Sequence, residues 1–217
     1  YLDFGSGIAV NSLGHCHPIL VKSLQDQASK LWHTSNLYYS TMQEEYAKNL
    51  CDNSFPEKIF FTNSGAEAIE AGLKVVRSYH YNNKNFHKKN IITFKNAFHG
   101  RTFAALSAQK NKKYSEGFEP LLDNFVQVDF NDFNQLKNNV DEKTSAIMLE
   151  PIQGEGGIIP ANLKFLEKTR KLCDENDLLF FFDEVQTGFG RTGKLFAHEW
   201  ANIKPDVIAV AKGIGSG

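Results

Sequence analysis

Five stretches combine residue types that can do chemistry. Thr62-Asn-Ser-Gly-Ala-Glu-Ala68 joins a hydroxyl, two small residues and an acid. Ser64 with Glu67 three positions on fits a capping box. The small side chains of Ser64, Gly65 and Ala66 also let free backbone N–H groups approach an anion, such as a phosphate, at the positive end of a helix. In Ala97-Phe-His-Gly-Arg-Thr102, Phe98 either tucks onto a core or stacks on a flat ligand. Arg101 is either solvated or a planar fork for a carboxylate. Glu150-Pro-Ile-Gln-Gly-Glu-Gly-Gly157 places two acids, an amide and three glycines in one loop. Phe182-Asp-Glu-Val-Gln-Thr-Gly-Phe-Gly-Arg-Thr-Gly-Lys194 puts Asp183 straight after an apolar run. A carboxylate buried at a strand end needs a cation or a protonated partner; solvent at the sheet edge is the alternative. Lys212 enters a Gly-rich loop after another apolar run. Most lysines are solvated, but one desolvated at an inner strand end has a lowered pKa and becomes a nucleophile.

These stretches must be held by regular elements. Pro18 suits the first turn of a helix reaching about Trp32, with Leu20, Leu24, Ala28 and Leu31 on one face. Helices are also expected over Thr41–Cys51, over Ser64–Tyr81 with Ala68, Ile69, Gly72, Leu73 and Val76 as a stripe, and over Asn162–Asn176 with Leu163, Leu166 and Leu172 inward. Short apolar strands are expected at Lys58–Thr62, Asn90–Phe94, Phe125–Asp129, Thr144–Leu149, Leu178–Phe182 and Asp206–Val210, and Tyr1–Val10 as a strand or extended lead-in. Apolar strands separated by helices predict an α/β fold: a three-layer, mostly parallel sheet with helices on both faces. Ligands bind such sheets where strands end and helices begin, which is where the five stretches lie.

Composition narrows the classes. The 217 residues carry 24 Lys+Arg against 25 Asp+Glu, a net charge of −1, so nothing favours nucleic acid as a partner. Only four of the 24 are arginine, which gives Arg101 more weight as a specific anion ligand. No apolar run approaches membrane-spanning length. Cys16, Cys51 and Cys173 are widely spaced with no CxxC, which argues against a disulfide framework and fits the cytoplasm. The chain starts at Tyr1 and stops in a Gly-rich loop, so it is expected to be a piece of a longer protein.

Two other readings compete. Gly188, Gly190 and Gly193 form G-x-G-x-x-G, and Gly188…Gly193-Lys194 nearly makes a nucleotide-binding P-loop. Leu195 stands where Ser or Thr should hold magnesium, and these glycines do not follow the first strand as a dinucleotide fold requires. His15 and His17 lack a third ligand at metal-site spacing, so no metal is expected.

In order and spacing, Asn63-Ser-Gly-Ala-Glu-Ala68, Phe98-His-Gly-Arg-Thr102, Glu150-Pro-Ile-Gln-Gly-Glu155, Asp183-Glu-Val-Gln-Thr-Gly188 and Ala211-Lys-Gly213 closely resemble the fold-type I, pyridoxal-phosphate-dependent aminotransferases of the ornithine/acetylornithine group. Gly14-His-Cys-His-Pro18 matches a further motif, and the resemblance covers the whole chain. It implies pyridoxal 5'-phosphate as cofactor, attached covalently through Lys212, which also shuttles the proton. Asp183 would pair with the cofactor's ring N–H, Gln186 with its ring oxygen, and Ser64, Gly65 and Ala66 with its phosphate. Phe98 would stack on the ring, and Arg101 would clamp the substrate α-carboxylate. Glu155 would pair with an arginine of the C-terminal domain, which lies outside this chain, to switch between the two substrates. Glu150 would support the loop, and His99 is left as structural.

The resemblance further implies residues 1–45 as an N-terminal segment and 46–217 as an incomplete cofactor-binding large domain. It implies a cytoplasmic homodimer, and an isolated chain that is inactive or poorly folded. Gly7-Ile-Ala-Val10 and Thr34-Ser-Asn-Leu-Tyr-Tyr39 look like the acetylornithine side of the family: Ile8, Ala9 and Val10 leave apolar room for an acylated amine. The implied reaction moves the δ-amino group of N2-acetylornithine to 2-oxoglutarate, giving N-acetylglutamate 5-semialdehyde and glutamate in arginine biosynthesis. Ornithine, succinylornithine, succinyldiaminopimelate and 4-aminobutyrate are alternative donors.

Overall fold

The structure, a computed structural model, describes residues 1–35 and 37–216; Asn36 of the Thr34–Tyr39 motif lies outside the described residues. The chain divides into two compact units, Tyr1–Phe61 with the last residues from Gly215 on, and Thr62–Ile214.

In the first unit the extended lead-in gives way to one irregular turn, α1 (Ser6–Ala9). The Asp3 carboxylate accepts the Gly5 and Gly7 N–H groups at 3.0 and 2.9 Å, so a side chain supplies the partners that a strand would have needed. Helix α2 (Pro18–Ala28) starts at the proline but ends before Trp32. The Trp32 Nε1–H donates to the Ala28 carbonyl at 2.6 Å, taking the acceptor that another helical turn would use. Its stripe formed a helix without a buried face: Leu24 and Leu31 are exposed. Helix α3 (Thr41–Asp52) follows as expected and buries Leu50. Residues 58–62 form no strand; the apolar run is present, but no described strand pairs with it.

The second unit holds a five-stranded sheet in the order β2-β1-β3-β6-β7, every neighbouring pair parallel. The strands are β1 (Asn90–Phe94), β2 (Phe125–Val128), β3 (Thr144–Leu149), β6 (Leu179–Asp183) and β7 (Val207–Ala209). A small antiparallel pair, β4 (Ile152–Gln153) and β5 (Ile159–Pro160), decorates the loop after β3. Parallel neighbours demand crossovers, which α5 (Phe103–Gln109), α6 (Lys112–Ser115), α7 (Phe133–Asn138) and α8 (Leu163–Asn176) supply.

Side chains alternate across the sheet and split the core in two. Ile92, Phe94, Ile147, Leu149, Phe180 and Phe182 meet Phe165, Leu166 and Leu172 of α8 on one face. On the other, Ile91, Ala146, Met148 and Phe181 meet Ile69, Leu73 and Val76 of α4 (Gly65–Asn82), with Ala104, Ala105 and Ala108 of α5. Helix α4 lies so close to the sheet that a Cβ on Gly72 would fall 2.7 Å from Phe181 Cε1 and nearer still to Cζ. Several strand bounds shift by a residue: β2 ends at Val128, β6 takes in Asp183 and not Leu178, and β7 ends at Ala209. Asp206 does not start β7; its carboxylate caps the Phe180 N–H and pairs with Arg170 Nη1, both at 2.7 Å. Leu163 faces solvent at the start of α8, where the apolar stripe has not yet turned inward. Among the described residues no helix is long and apolar enough to cross a membrane, and no cluster of His, Cys, Asp and Glu could hold a metal.

Candidate active site

Register brings the functional loops together. Leu149 pairs with Phe182 and Asp183 with Ala209, so β3, β6 and β7 end side by side. The loops leaving them carry Glu150, Asp183–Gly188 and Lys212.

Helix α4 begins against this edge. Ser64, extended, caps it: its Oγ accepts the Glu67 N–H at 3.2 Å, and its carbonyl accepts Ala68 N–H at 2.9 Å. The Glu67 carboxylate reaches back to Asn63, accepting its backbone N–H at 2.6 Å and its Nδ2–H at 2.9 Å. Half of the expected capping box is therefore present: Ser64 Oγ takes the Glu67 N–H, but the Glu67 carboxylate returns to Asn63 and not to the Ser64 N–H. It leaves the Gly65 and Ala66 amides without intrahelical partners, at the positive end of an 18-residue helix. A Cβ on Gly65 would sit 2.9 and 3.1 Å from the Val185 methyls and 3.2 Å from Ala211 Cβ. The helix start thus touches both the chain leaving Asp183 and the chain entering Lys212. Gly100, at φ +126°, has its missing Cβ 3.3 Å from Ala66 Cβ, which brings the Phe98–Arg101 loop to the same spot.

Behind these loops sits a buried polar triad. Asp183 is 4% exposed; its Oδ1 accepts the Val185 N–H at 3.1 Å, and its Oδ2 lies 2.8 Å from His99 Nδ1. Burial disfavours the His99 imidazolium, but the Asp183 hydrogen bond and the charges of Asp183 and Glu150 outweigh it and hold the ring's pKa above its ordinary value. His99 N–H also donates to Gln109 Oε1 at 2.8 Å. Glu150 accepts the Phe98 N–H at 2.9 Å and the Gly154 N–H at 3.4 Å. Burial dominates there and pushes Glu150 up to about 7, Asp183 adding to the rise and the His99 charge opposing it. Glu150 therefore ties the loop after β3 to the Phe98 loop, and His99 holds Asp183 in one orientation.

The remaining expected site residues take distinct places. Phe98 is half-buried, edge-on to Tyr114 at 5.4 Å. Arg101 is exposed, its guanidinium 5.9 Å from the Tyr114 ring centroid. Gln186 lies against Gly154, where an added Cβ would come 3.0 Å from its Cδ. Lys212 is half-buried and opens a 3-10 turn at φ +47°, in the left-handed region. Glu155 is exposed and pairs with no described residue. The structure therefore gathers Gly65, Ala66, Gly100, Asp183, Val185 and Ala211, and leaves Arg101 and Glu155 exposed.

Two residues were undervalued by sequence reasoning. His99 is a direct partner of Asp183; a histidine in a strand-end loop beside an isolated acid was the available signal. Glu184 is fully buried and accepts the Ala197 and His198 N–H groups at 2.7 and 2.9 Å and the Thr187 hydroxyl at 2.9 Å, pinning the turn after Asp183. Burial raises its pKa against those three donors. Its signal was hidden, since acids beside glycines are usually solvated. In the P-loop-like stretch, Lys194 lies 5.1 Å over the Trp200 ring and Gly190 N–H bonds the Leu195 carbonyl, so the loop closes on itself. His15 Nε2 is held by Asp3 at 2.8 Å.

The residues present fit pyridoxal 5'-phosphate. Helix-start amides without intrahelical partners suit its phosphate, a buried carboxylate suits its ring N–H, an amine suits its carbonyl, and the missing Cβ atoms of Gly65 and Gly100 let the loops close around the place.

Residues 1–217 match the aminotransferase class-III family. The acetylornithine aminotransferase of Agrobacterium fabrum is 55% identical over 217 residues, all of this chain and 54% of that protein. That of Caldanaerobacter subterraneus is 54% identical over 220 residues, covering 55% of it. Among solved structures, the N-acetylornithine aminotransferase of Stenotrophomonas maltophilia superposes with TM-score 0.85 at 42% identity, over 98% of this chain and 53% of that one. The ornithine aminotransferase of Toxoplasma gondii gives TM-score 0.96 at 30% identity, over 100% and 52%. The chain spans about half the length of the curated relatives it matches.

Proposed function

From the premise that this chain belongs to the class-III aminotransferase family, we propose that it forms the cofactor-binding part of a pyridoxal-phosphate-dependent aminotransferase acting on N2-acetylornithine, with 2-oxoglutarate as acceptor. The observation that carries the reading is convergence: the α4 start at Gly65 packs on Val185 and Ala211, the neighbours of Asp183 and Lys212. The acetylated donor is supported by relatives named acetylornithine aminotransferase at 50–55% identity over the whole chain.

When bound, pyridoxal 5'-phosphate supplies an electron sink for the carbon that carries the amine. The chain supplies the rest. Amides of Gly65 and Ala66, with the Ser64 hydroxyl, bind the phosphate. The Asp183 carboxylate, fixed by His99 and the Val185 N–H, holds the proton on the ring nitrogen. Gln186 orients the ring oxygen, and Phe98 covers one face. Lys212 Nζ would hold the cofactor covalently and, as the free amine after release, would move the proton of the donor carbon that carries the amine. Arg101 receives the donor's α-carboxylate in a bidentate fork. Glu155, exposed, pairs with a cation from outside this chain. We place the enzyme in the cytoplasm, as a homodimer, in arginine biosynthesis.

The test is the absorption spectrum of the intact, cofactor-loaded protein. N2-acetylornithine should bleach the cofactor band, and 2-oxoglutarate should restore it. A band unmoved by acetylornithine but bleached by ornithine or 4-aminobutyrate would overturn the substrate assignment.

A further inference from the structure

Arg101 is exposed, and among the described residues its guanidinium has no ion-pair partner. A long, unanchored side chain on a loop loses rotamer freedom each time it grips a ligand. One aromatic ring meets it. The Tyr114 centroid lies 5.9 Å from Arg101 Cζ, within cation–π range, and the same ring meets Phe98 edge-on at 5.4 Å and 71°. Tyr114 therefore neighbours both residues that would face the ligand, the carboxylate fork and the ring cover, and Lys113 Nζ lies 5.3 Å over the same ring.

Tyr114 is itself well founded. It sits in α6, whose N-cap Asn111 accepts the Lys113 N–H on its side chain at 3.1 Å and the Tyr114 and Ser115 N–H groups on its carbonyl at 2.9 and 3.0 Å. Just before it, Lys110 ends α5 in the left-handed conformation and anchors its ammonium on the Phe125 carbonyl at 2.7 Å. Ser107 of α5 accepts the Leu122 N–H at 2.8 Å, which fastens the far side of the loop. The tyrosine is thus carried by a braced turn, whereas the arginine it touches is not braced by anything else described.

We propose that Tyr114 is a positioning residue for the donor's carboxylate: its ring preorganises the Arg101 guanidinium. This rests on the reading of Arg101 given above. A pre-set fork binds ground state and transition state alike, so the proposal predicts an effect on donor binding with little on the chemical step. A purely structural Tyr114 would instead change stability and cofactor content.

The test uses the intact, cofactor-loaded protein with Tyr114→Phe, Tyr114→Leu, Tyr114→Met as a second non-aromatic variant, and Arg101→Lys. Calorimetry measures the Kd of N2-acetylnorvaline, the proposed donor without its δ-amine and so unable to react. Cofactor Kd is read by fluorescence titration, and KM and kcat by turnover. In Tyr114→Leu, loss of the ring should weaken acetylnorvaline binding and raise donor KM about three- to tenfold, with kcat within about twofold. Tyr114→Phe keeps the ring and should match the parent within about twofold. If Arg101→Lys weakens acetylnorvaline while the Leu and Met variants bind it as the parent does, the positioning role is overturned and the Arg101 assignment stands. If the Leu and Met variants change only melting temperature or cofactor content, Tyr114 is structural and the proposal fails. If Arg101→Lys changes neither Kd nor KM, the carboxylate assignment fails, and the proposal with it.

Discussion

Gly65→Ala perturbs the point where the site closes. The new Cβ would meet Val185 Cγ1 at 2.9 Å, Cγ2 at 3.1 Å and Ala211 Cβ at 3.2 Å, all shorter than ordinary carbon contacts. Something must shift by roughly half an ångström. If α4 retreats, the amides of Gly65 and Ala66 leave the phosphate. If Val185 retreats, it drags on its N–H bond to Asp183 Oδ1; if Ala211 retreats, it moves the entry to Lys212. Each route degrades cofactor binding. Overpacking of this kind costs about 1–3 kcal/mol, which corresponds to cofactor binding weakened about five- to 150-fold. Alanine is also a better helix former than glycine by up to ~1 kcal/mol, so overall stability should change less than cofactor affinity. Gly65→Ala/Val185→Ala removes both Val185 methyls and should recover most of the affinity, leaving a coupling that a double-mutant cycle reads directly. The assay is a cofactor titration of the intact apoprotein, with thermal melts alongside. An unchanged Kd in Gly65→Ala, or a double variant no better than the single one, would refute the argument.

Glu150 is shifted from its ordinary 4.5 to about 7, so the folded chain binds its proton more tightly than the unfolded chain does. Stability should therefore fall as pH rises from about 4.5 to 7, and Glu150→Gln should flatten that slope by roughly 3 kcal/mol across the window, measured by denaturant midpoints. His99, with its raised pKa, acts in the same sense, its contribution present at low pH and lost as pH rises through its folded pKa. Gly72→Ala should destabilise by about 1–3 kcal/mol or more because its Cβ collides with the Phe181 ring, with cofactor Kd nearly unchanged in the protein that remains folded. A neutral Gly72→Ala would mean that α4 can slide on the sheet.

Much of the fold could be read from the letters because local pattern and tertiary context agree there. The stripe of α4 is fixed by 3.6-residue spacing, and β1, β3 and β6 by apolar runs buried on both faces. Pattern failed where a single side chain decides: Asp3 folds the first residues into a turn, and the Trp32 indole ends α2 early. Residues 58–62 have strand composition, but a strand also needs a neighbour, and composition does not specify one. At the site, the loops after β1, β3, β6 and β7 were legible because they follow strands, the Thr62–Ala68 stretch because it opens α4, and Asp183 because an acid ends an apolar run. The partners of Asp183 and Glu150 were not. His99 lies 84 residues from Asp183, and Phe98 52 residues from Glu150; only the strand order β1-β3-β6 brings them together. Tyr114 carried no signal, since an isolated tyrosine in a lysine-rich stretch reads as surface.

The central claim is that one lysine among the 20 in this chain carries the cofactor. Borohydride reduction of the intact protein loaded with pyridoxal 5'-phosphate, followed by peptide mass mapping, tests it directly. The account predicts the phosphopyridoxyl mass on Lys212 alone, lost in Lys212→Ala. The same mass on another lysine of this chain, or none after loading, would contradict it.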